Sequence, residues 1–462
     1  MSSTDFYQRR AGVLLHPTSL PSGVLDADAD RWLDWLHEAG FGVWQVLPLG
    51  EPQHGLSPYQ CISAFAMNPA LLSSYTTPEP AADDFRHFCA SSPWLDDYVS
   101  FKLLHQKFNT DPWYAWPDEY KFRQPDSLER LRHEFAQSYL QLQWQQFQLH
   151  ERWLALKQSA NNKGILLFGD MPLFVGHHSA DVWANPDRFL IDKDGKMKVV
   201  AGVPPDYYSD TGQRWGNPHY NWDVMQAENY AWWIQRMRYH LDIFDVVRID
   251  HFRGLEASWV INAACETAID GHWEKMPGDS LLAAIREDIG HLPIVAEDLG
   301  IITPEVTALR KKYHLPGMSV LQFGFDAFED NPHKPKNIEL DRVVYTGTHD
   351  NDTTRGWFKS LPDEMKLHVL NVLGIQRDGS PAEMANAVVD RLVDIGMNSR
   401  GSLFILPMQD VLHLDSSARM NTPGTVDDNW QWSFQWQQLG SDIIHTMRQQ
   451  IEKTGRLVIQ HV

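Results

Sequence analysis

Cysteine is scarce in this chain of 462 residues, which contains only Cys61, Cys89 and Cys265. An odd number of widely spaced cysteines provides neither a disulfide framework nor a set of paired zinc ligands. Long hydrophobic runs are also missing, since no stretch reaches the roughly 20 apolar residues that a membrane-spanning helix needs. The apolar run Val13–Leu15 is too short for the core of a signal peptide, so we expect a cytoplasmic protein without membrane partners.

Positive charge is in deficit as well, with 40 Lys and Arg residues against 60 Asp and Glu residues and a net charge of -20. This balance argues against a nucleic acid or an anionic membrane surface as partner and favours a neutral or cationic ligand. In contrast, the chain is rich in tryptophan, with 19 residues, many of them beside Pro, Gly, Asn or Asp. Most of these rings are expected to fix loops, but flat aromatic faces in loops also suit the binding of sugar rings.

Eight short apolar segments alternate with helical sequence along the chain. They are Val13–Leu15, Val43–Leu49, Gly164–Pro172, Asp245–Ile249, Pro293–Gly300, Ser319–Phe323, Val343–Asn351 and Leu403–Leu406. This alternation predicts an α/β protein, a (β/α)8 TIM barrel. We expect a single catalytic domain over residues 1–462, with two insertions around the C-terminal mouth of the barrel. A largely helical insertion over 50–160 would follow the second strand and include one long helix from Ser127 to Leu156, and a second insertion over 171–225 would follow the third strand.

Acidic residues end four of these apolar segments. Asp170, Asp250, Glu297 and Asp350 each follow a different strand, and Arg248 lies two residues before Asp250. Because the carboxyl ends of barrel strands converge on one pocket, these side chains are expected to become neighbours. For Arg248 and Asp250 alone, a structural ion pair at a strand end is an equally simple explanation. A cluster of four carboxylates, however, needs a metal ion or a cationic transition state to offset its mutual repulsion.

Both explanations of the carboxylate cluster predict specific residues. A metal site would recruit His16, His251, His349 and the pair His177 and His178, but these histidines lack the tight spacing that metal sites in helices or loops show, so we predict no metal. Cleavage of a glycosidic bond instead passes through an oxocarbenium-like state, which requires one carboxylate to attack or stabilise the anomeric carbon and one carboxylic acid to protonate the leaving oxygen.

Local environment suggests how the carboxylates divide this chemistry. The positive charge of Arg248 should lower the pKa of Asp250 and keep it ionised, as a nucleophile requires. Glu297 follows an apolar strand, which should raise its pKa and suit an acid/base. Asp350 stands between His349 and an asparagine, a hydrogen-bonding environment suited to sugar hydroxyls.

Several sequence blocks resemble a known enzyme family. Arg248–Gly254, Ala296–Gly300 and Thr348–Thr353 are similar, in order and position, to the three signature blocks of the α-amylase clan. Further blocks resemble the amylomaltases, also called disproportionating enzymes or 4-α-glucanotransferases: Leu47–Gly50, Ser57–Gln60, Gly169–Pro172, Ala180–Pro186, Ala201–Asp206, Trp215–Pro218 and Arg419–Gly424. The resemblance covers nearly the whole chain.

The resemblance implies a role for each matching residue. Asp250 matches the family's nucleophile, Glu297 its acid/base and Asp350 its transition-state stabiliser. The matches to substrate-binding residues are Arg248, His349, Tyr59, Asp170 as a hydroxyl-binding carboxylate, Trp215 on the acceptor side, and Asn421. The resemblance also implies that no cofactor is needed and that the C-terminal β-sandwich of the clan is missing.

The sequence therefore predicts a 4-α-glucanotransferase that moves α-1,4-glucan segments from a donor to an acceptor maltooligosaccharide, through a covalent glucosyl-enzyme on Asp250. Its partners would be maltooligosaccharides and α-1,4-glucans, and we expect a monomer or a weak homo-oligomer. Two alternatives remain open at this stage. An α-amylase-like hydrolase would give no products longer than its substrate, and a non-catalytic maltodextrin-binding protein would typically lack one of the three catalytic carboxylates.

Overall fold

The structure, a computed structural model, describes residues 8–109, 112–206 and 209–458. In these ranges the chain forms twelve strands and sixteen α-helices. The strands are β1 (Arg10–Leu14), β2 (Val43–Gln45), β3 (Leu166–Met171), β4 (Val199–Val203), β5 (Gln213–Pro218), β6 (Val246–Ile249), β7 (Ala257–Asn262), β8 (Gly271–Lys275), β9 (Ile294–Ala296), β10 (Gly317–Val320), β11 (Arg342–Tyr345) and β12 (Leu403–Pro407). The helices are α1 (Ala27–Ala39), α2 (Asp83–Ser91), α3 (Leu95–Phe108), α4 (Asp118–Lys121), α5 (Pro125–Glu134), α6 (Ala136–Asn162), α7 (Ala180–Ala184), α8 (Trp222–Ala227), α9 (Ala231–Ile243), α10 (Gly278–Ile289), α11 (Pro304–Lys312), α12 (Thr354–Ser360), α13 (Asp363–Leu373), α14 (Pro381–Asn398), α15 (Met408–Val411) and α16 (Ser441–Lys453).

Eight of the strands form one sheet in the order β10-β11-β12-β1-β2-β3-β6-β9. Each neighbouring pair in this sheet is parallel. The two edges meet where the Ala296 amide donates a hydrogen bond to the Pro316 carbonyl at 2.8 Å and the Met318 amide donates to the Asp298 carboxylate at 2.7 Å. The sheet is therefore a nearly closed barrel. The predicted (β/α)8 fold and all eight of its predicted strands are confirmed.

Helix α1 illustrates how the sequence builds one β/α unit. The Asp26 side chain accepts a hydrogen bond from the Asp28 amide and caps the helix, and Gly40 ends it in the left-handed conformation at φ 84°. Trp32 and Leu36, one helical turn apart, are fully buried on the face that covers the barrel. The chain then turns back directly into β2, which pairs with β1.

The barrel has an inner and an outer apolar layer because side chains alternate along each strand. The inner layer fills the barrel with residues from all eight strands and with Leu47 and Met420 from the segments beyond them. The strand residues are Leu14, Val43, Leu166, Phe168, Val246, Val295, Met318, Val320, Val343, Tyr345, Leu403 and Ile405. The outer faces of the same strands pack against the helices. The barrel is thus a solid scaffold whose polar groups gather at one end.

Helices α2 to α6 lie between β2 and β3. The predicted long helix from about Ser127 to Leu156 is present as the two consecutive helices α5 and α6, which are separated by a break at Phe135, with φ -114° and ψ 30°. Phe135 packs against the core in this conformation, and the Lys107 ammonium lies 5.4 Å from its ring centroid. The apolar residues keep a helical spacing on both sides of the break, so spacing alone could not locate it.

A second, antiparallel sheet has the order β5-β4-β7-β8. Its strands β4 and β5 come from the segment between β3 and β6, whereas β7 and β8 come from the segment that follows β6. Side chains of this sheet, including Trp215, line the cleft described below, so we name it the rim sheet. The sequence did not predict this sheet, because its two halves are separated in the chain by α8, α9 and β6.

The described chain after β12 forms loops and the helices α15 and α16, with no strand up to residue 458. Near its end, the buried guanidinium of Arg456 donates hydrogen bonds to the carbonyls of Arg10, Met397 and Ser402 and so attaches this segment to the first and last barrel strands.

The three cysteines are free thiols. Among the helices described, none has the length and apolar content needed to cross a membrane.

Replacing Gly169 by alanine is expected to destabilise the barrel. A Cβ atom at Gly169 in β3 would lie 2.2 Å from the Phe244 ring, and both residues are enclosed by the core. We expect the free energy of unfolding to fall by about 1–3 kcal/mol, as for other overpacked cores, which urea denaturation would measure. Gly440→Ala is the control, because a Cβ there meets no atom within 4 Å; a similar loss in both variants would contradict the steric explanation.

Candidate active site

An open cleft of about 800 Å³ lies at the carboxyl ends of the barrel strands. Eight of the nine predicted site residues line it: Tyr59, Trp215, Arg248, Asp250, Glu297, His349, Asp350 and Asn421. The fold therefore brings together residues separated by more than 300 positions in the sequence. The ninth residue, Asp170, lies beneath the cleft, not in its wall.

Asp170 holds two of the cleft residues from below. Its Oδ2 atom accepts hydrogen bonds from the Tyr59 hydroxyl at 2.7 Å and from the Arg248 guanidinium at 2.6 Å. The Asp170 side chain is fully buried. The resemblance implies that this carboxylate binds sugar hydroxyls; here it contacts Tyr59 and Arg248, two residues that line the cleft.

Arg248 connects Asp170 to Asp250. Its second guanidinium nitrogen donates to Asp250 Oδ1 at 2.7 Å. The parallel register places Asp170 of β3 directly beside Arg248 of β6, so both side chains point to the same end of the barrel. Burying an arginine is costly unless its charge is paired and its N–H groups are bonded. Here two carboxylates meet both requirements, and they fix Arg248 in the orientation that holds Asp250.

The pKa of Asp250 differs from the sequence-based expectation. Arg248 was expected to lower it, but burial in the cleft raises it to about 6, with Arg248 opposing the rise and Asp170 and Asp350 adding to it. The prediction of a lowered pKa was therefore wrong, because the desolvation imposed by the surrounding loops outweighs the one adjacent positive charge. The carboxylate still keeps 29% of its side-chain surface exposed to the cleft.

Glu297 follows β9, the strand that pairs with β6. The register aligns Ile249 with Ala296, so Asp250 and Glu297 are the next residues on adjacent parallel strands, whose backbones lie about 4.8 Å apart. The Glu297 carboxyl accepts hydrogen bonds from the His251 amide at 2.7 Å and the Leu299 amide at 2.9 Å. Burial raises the pKa of Glu297 to about 7, as the apolar strand before it predicted.

The left-handed conformation of His251, with φ 52°, contributes to this geometry. It turns the chain immediately after Asp250 and aims the His251 amide at Glu297. A non-glycine residue at positive φ is uncommon and often marks a functional site. Apart from the charged residues that surround His251, no feature of the sequence indicates this conformation.

Asp350 is held by the chain segment that follows the last barrel strand. The Asn421 amide donates to Asp350 Oδ1 at 2.6 Å, and the Arg419 guanidinium donates to the Asp350 backbone carbonyl at 2.6 Å. His349 Nε2 lies 3.4 Å from the other carboxylate oxygen. This explains why the block Arg419–Gly424 belongs to the site although it is remote in sequence from the catalytic carboxylates.

Aromatic rings line the cleft on either side of the carboxylates. Tyr59 stacks on His349, with ring centroids 5.2 Å apart and planes at 16°, and Trp430 lies 5.9 Å from each. On another wall, Trp215 packs edge-on against His251 at 4.8 Å. Trp430 was not predicted as a site residue; its only signal was its place in a loop, beside Asn429. Such rings suit the apolar C–H faces of sugars.

Two histidines of the metal hypothesis, His177 and His178, lie outside the cleft, whereas His251 and His349 line it. His177 Nε2 lies 2.7 Å from the Gly195 carbonyl, and His178 Nδ1 accepts a hydrogen bond from the Trp113 amide at 3.1 Å, so this pair does not line the cleft. Across residues 8–109, 112–206 and 209–458, no three His, Cys, Asp or Glu side chains are grouped in a way that would hold a metal ion.

Comparisons with known proteins agree with this geometry. The glycoside hydrolase family 77 model, described as 4-alpha-glucanotransferase, matches residues 15–83 and 73–438. The 4-alpha-glucanotransferase of Thermus thermophilus is 42% identical over 97% of this chain and 99% of its own length. The 4-alpha-glucanotransferase of Synechocystis sp. is 40% identical over 94% of this chain and 95% of its own length.

Solved structures lead to the same family. The amylomaltase from Streptococcus agalactiae in complex with acarbose superimposes with a TM-score of 0.91 and 30% identity, over 98% of this chain and 100% of that one. The amylomaltase from Corynebacterium glutamicum, at 16% identity, shares the fold with a TM-score of 0.74 over 99% of this chain and 77% of that one. Together with the family match over most of the sequence, these relatives establish that the chain belongs to the 4-alpha-glucanotransferase family.

Proposed function

We propose that this 4-alpha-glucanotransferase acts by a retaining double displacement in which Asp250 is the nucleophile and Glu297 the acid/base. The observation that carries this assignment is the position of the two carboxyls on adjacent strands facing one cleft. The spacing of adjacent strands suits the roughly 5–5.5 Å between the carboxyls of retaining enzymes.

In the first step, Asp250 attacks the anomeric carbon while protonated Glu297 gives its proton to the leaving oxygen. The donor segment that carries the leaving oxygen departs, and the segment that carries the anomeric carbon becomes covalently bound to Asp250. In the second step, Glu297 accepts the proton of an incoming sugar 4-hydroxyl, which then displaces Asp250. Asp350 is held by Asn421 and stabilises the positive charge that develops on the sugar ring in the transition state of each step.

The remaining predicted residues position the reacting sugar. Arg248 holds the Asp250 carboxylate, and Asp170 holds Arg248 from below. Tyr59 and His349 provide a stacked aromatic surface for the sugar in the cleaved position, and Trp215 provides one on the acceptor side. One catalytic barrel domain, with the insertions over 50–160 and 171–225, would supply all of these groups.

Maltooligosaccharides are the substrates that best fit this site. The Streptococcus agalactiae amylomaltase was solved in complex with acarbose. The present chain matches that enzyme over its full length and shares its fold. The cleft is open, and aromatic rings line it beside the carboxylates, which suits the binding of a neutral glucan. Transfer in place of hydrolysis follows if an acceptor sugar bound to these rings reaches the glucosyl-enzyme before water does.

The two carboxyl pKa values predict a narrow pH optimum for kcat/KM. Asp250 must be ionised to attack and has a pKa of about 6, so activity should fall as the pH drops through that value. Glu297 must be protonated to act as an acid and has a pKa of about 7, so activity should also fall as the pH rises through that value. Initial rates of maltotriose disproportionation between about pH 4.5 and about pH 9 would check this. A flat profile across both values would contradict the assignment.

Incubation with pure maltotriose tests the function itself. A glucanotransferase releases glucose and builds maltopentaose and longer chains, which size separation of the products detects. Products limited to glucose and maltose would identify a hydrolase, which is the alternative function that uses the same carboxylates. A lack of turnover would contradict the enzymatic assignment and favour a maltodextrin-binding protein.

A further inference from the structure

Trp273 is the most exposed of the 19 tryptophans, all of which lie in the described ranges. It belongs to β8, the edge strand of the rim sheet, and 38% of its surface is exposed. Its side chain lines the same cleft as the catalytic carboxylates. A single exposed apolar side chain is common on protein surfaces, but this indole exposes its apolar surface inside the cleft, where a ligand would meet it.

The ring of Trp273 is braced from the protein side. The guanidinium carbon of Arg253 lies 3.7 Å from the ring centroid, and Arg253 is itself buried. Arg253 is fixed in turn, because its Nη1 atom donates to the Ile301 carbonyl at 2.7 Å. Trp259, the cross-strand partner of Trp273, packs edge-on at 5.2 Å. Since the buried groups cover one face, the exposed area belongs to the other face, and the ring is held ready before a ligand binds.

The neighbours of Trp273 also locate it relative to the reacting bond. Arg253 lies three residues after Asp250, and Ile301 lies four residues after Glu297 on the loop that lines the cleft. The acid/base protonates the leaving oxygen, so its side of the cleft holds first the leaving chain and then the acceptor. Trp215 packs against His251, next to the nucleophile, whereas Trp273 packs against Arg253, two residues farther along the chain.

We propose that Trp273 is a stacking platform for a glucose residue of the acceptor chain, one or more units beyond the sugar at Trp215. The ligand is the apolar C–H face of a pyranose ring in an α-1,4-glucan. The platform makes the enzyme favour acceptors of two or more glucose units over glucose itself, because glucose is too short to reach it. This inference rests on the proposed transfer reaction and adds a specificity determinant to it.

The test is to measure acceptor KM values with starch as donor and isotope-labelled glucose, maltose and maltotriose as acceptors. For Trp273→Ala we expect the KM of maltotriose to rise about tenfold, the scale of one lost aromatic contact, with the KM of glucose and the kcat with each acceptor unchanged within about twofold. Trp273→Phe keeps a smaller ring and should recover part of the loss. Phe122→Ala is the matched control, since Phe122 is also exposed but does not line the cleft.

The outcomes separate this inference from the proposed function. An unchanged KM for maltotriose in Trp273→Ala, or an equal rise for glucose and maltotriose, would overturn the platform while transfer itself stands. Wild-type enzyme that forms no labelled extension products would overturn the proposed function and, with it, the assignment of an acceptor platform.

Discussion

Replacing Asp250 by asparagine is expected to lower kcat for maltotriose disproportionation by about ten-thousand-fold or more, the usual scale for loss of a covalent nucleophile. Asparagine keeps the size of the side chain and one oxygen near the Arg248 guanidinium, which lies 2.7 Å from Asp250 Oδ1 in the wild type. It removes the negative charge that attacks the anomeric carbon. The measurement is the initial rate of glucose release from maltotriose, with the folded state checked by thermal unfolding.

Asp326→Asn is the matched control for this experiment. Asp326 also lines the cleft, but its carboxylate accepts hydrogen bonds from the Phe328 amide and from Asn331, within its own loop. We expect its kcat to stay within about fivefold of the wild type, as for a residue outside the reaction. If the two variants lost activity equally, the loss would reflect the overall charge of the cleft, and Asp250 would not be the nucleophile.

Replacing Glu297 by glutamine is expected to lower kcat with natural glucans by about a thousandfold, within the range for loss of general acid–base catalysis. Glutamine keeps the size of the side chain and one of the two hydrogen bonds that Glu297 accepts from the His251 and Leu299 amides, because its NH2 group cannot accept the other, so most of the loop geometry should persist. The effect should depend on the donor. A maltotriosyl fluoride needs no proton for the departure of fluoride, so its first step should proceed at nearly the wild-type rate.

Fluoride release measured by an ion-selective electrode would follow that first step. We expect a burst of one fluoride per enzyme followed by a slow phase, because the second step still requires the base. The pH profile of the burst should also lose its fall above about pH 7, since the group with that pKa has been removed. Equal losses with maltotriose and with the fluoride would show that Glu297 acts only by shaping the site.

Much of the fold could be predicted because each barrel strand is a short apolar run with a helix behind it. The rim sheet escaped prediction for two reasons. Strand β8 reads Gly-His-Trp-Glu-Lys, a polar sequence without the alternation of a half-buried strand, and it pairs with β7. β7 in turn pairs with β4, more than 50 residues earlier in the chain. Pairings of this kind depend on the tertiary arrangement, which a local pattern does not contain.

The catalytic carboxylates were predictable because strand ends converge in a barrel, whereas their environments were not. Whether Asp170 faces the cleft or lies under it depends on the Tyr59 hydroxyl, which reaches it from a loop more than 100 residues earlier. The pKa of Asp250 depends on how completely distant loops exclude water. Trp273 needs the buried Arg253 beneath it to be recognised as a platform. In each case the deciding contact joins segments that the sequence keeps far apart.

The central claim is that a glucan chain becomes covalently bound to Asp250. The most direct test is to mix the Glu297→Gln variant with maltotriosyl fluoride, quench with acid, and measure the mass of the intact protein and of its peptides. The account predicts a mass increase of one maltotriosyl group, located on the peptide that contains Asp250 and missing from the Asp250→Asn, Glu297→Gln double variant. Consumption of the fluoride without an adduct, or an adduct on another residue, would contradict it.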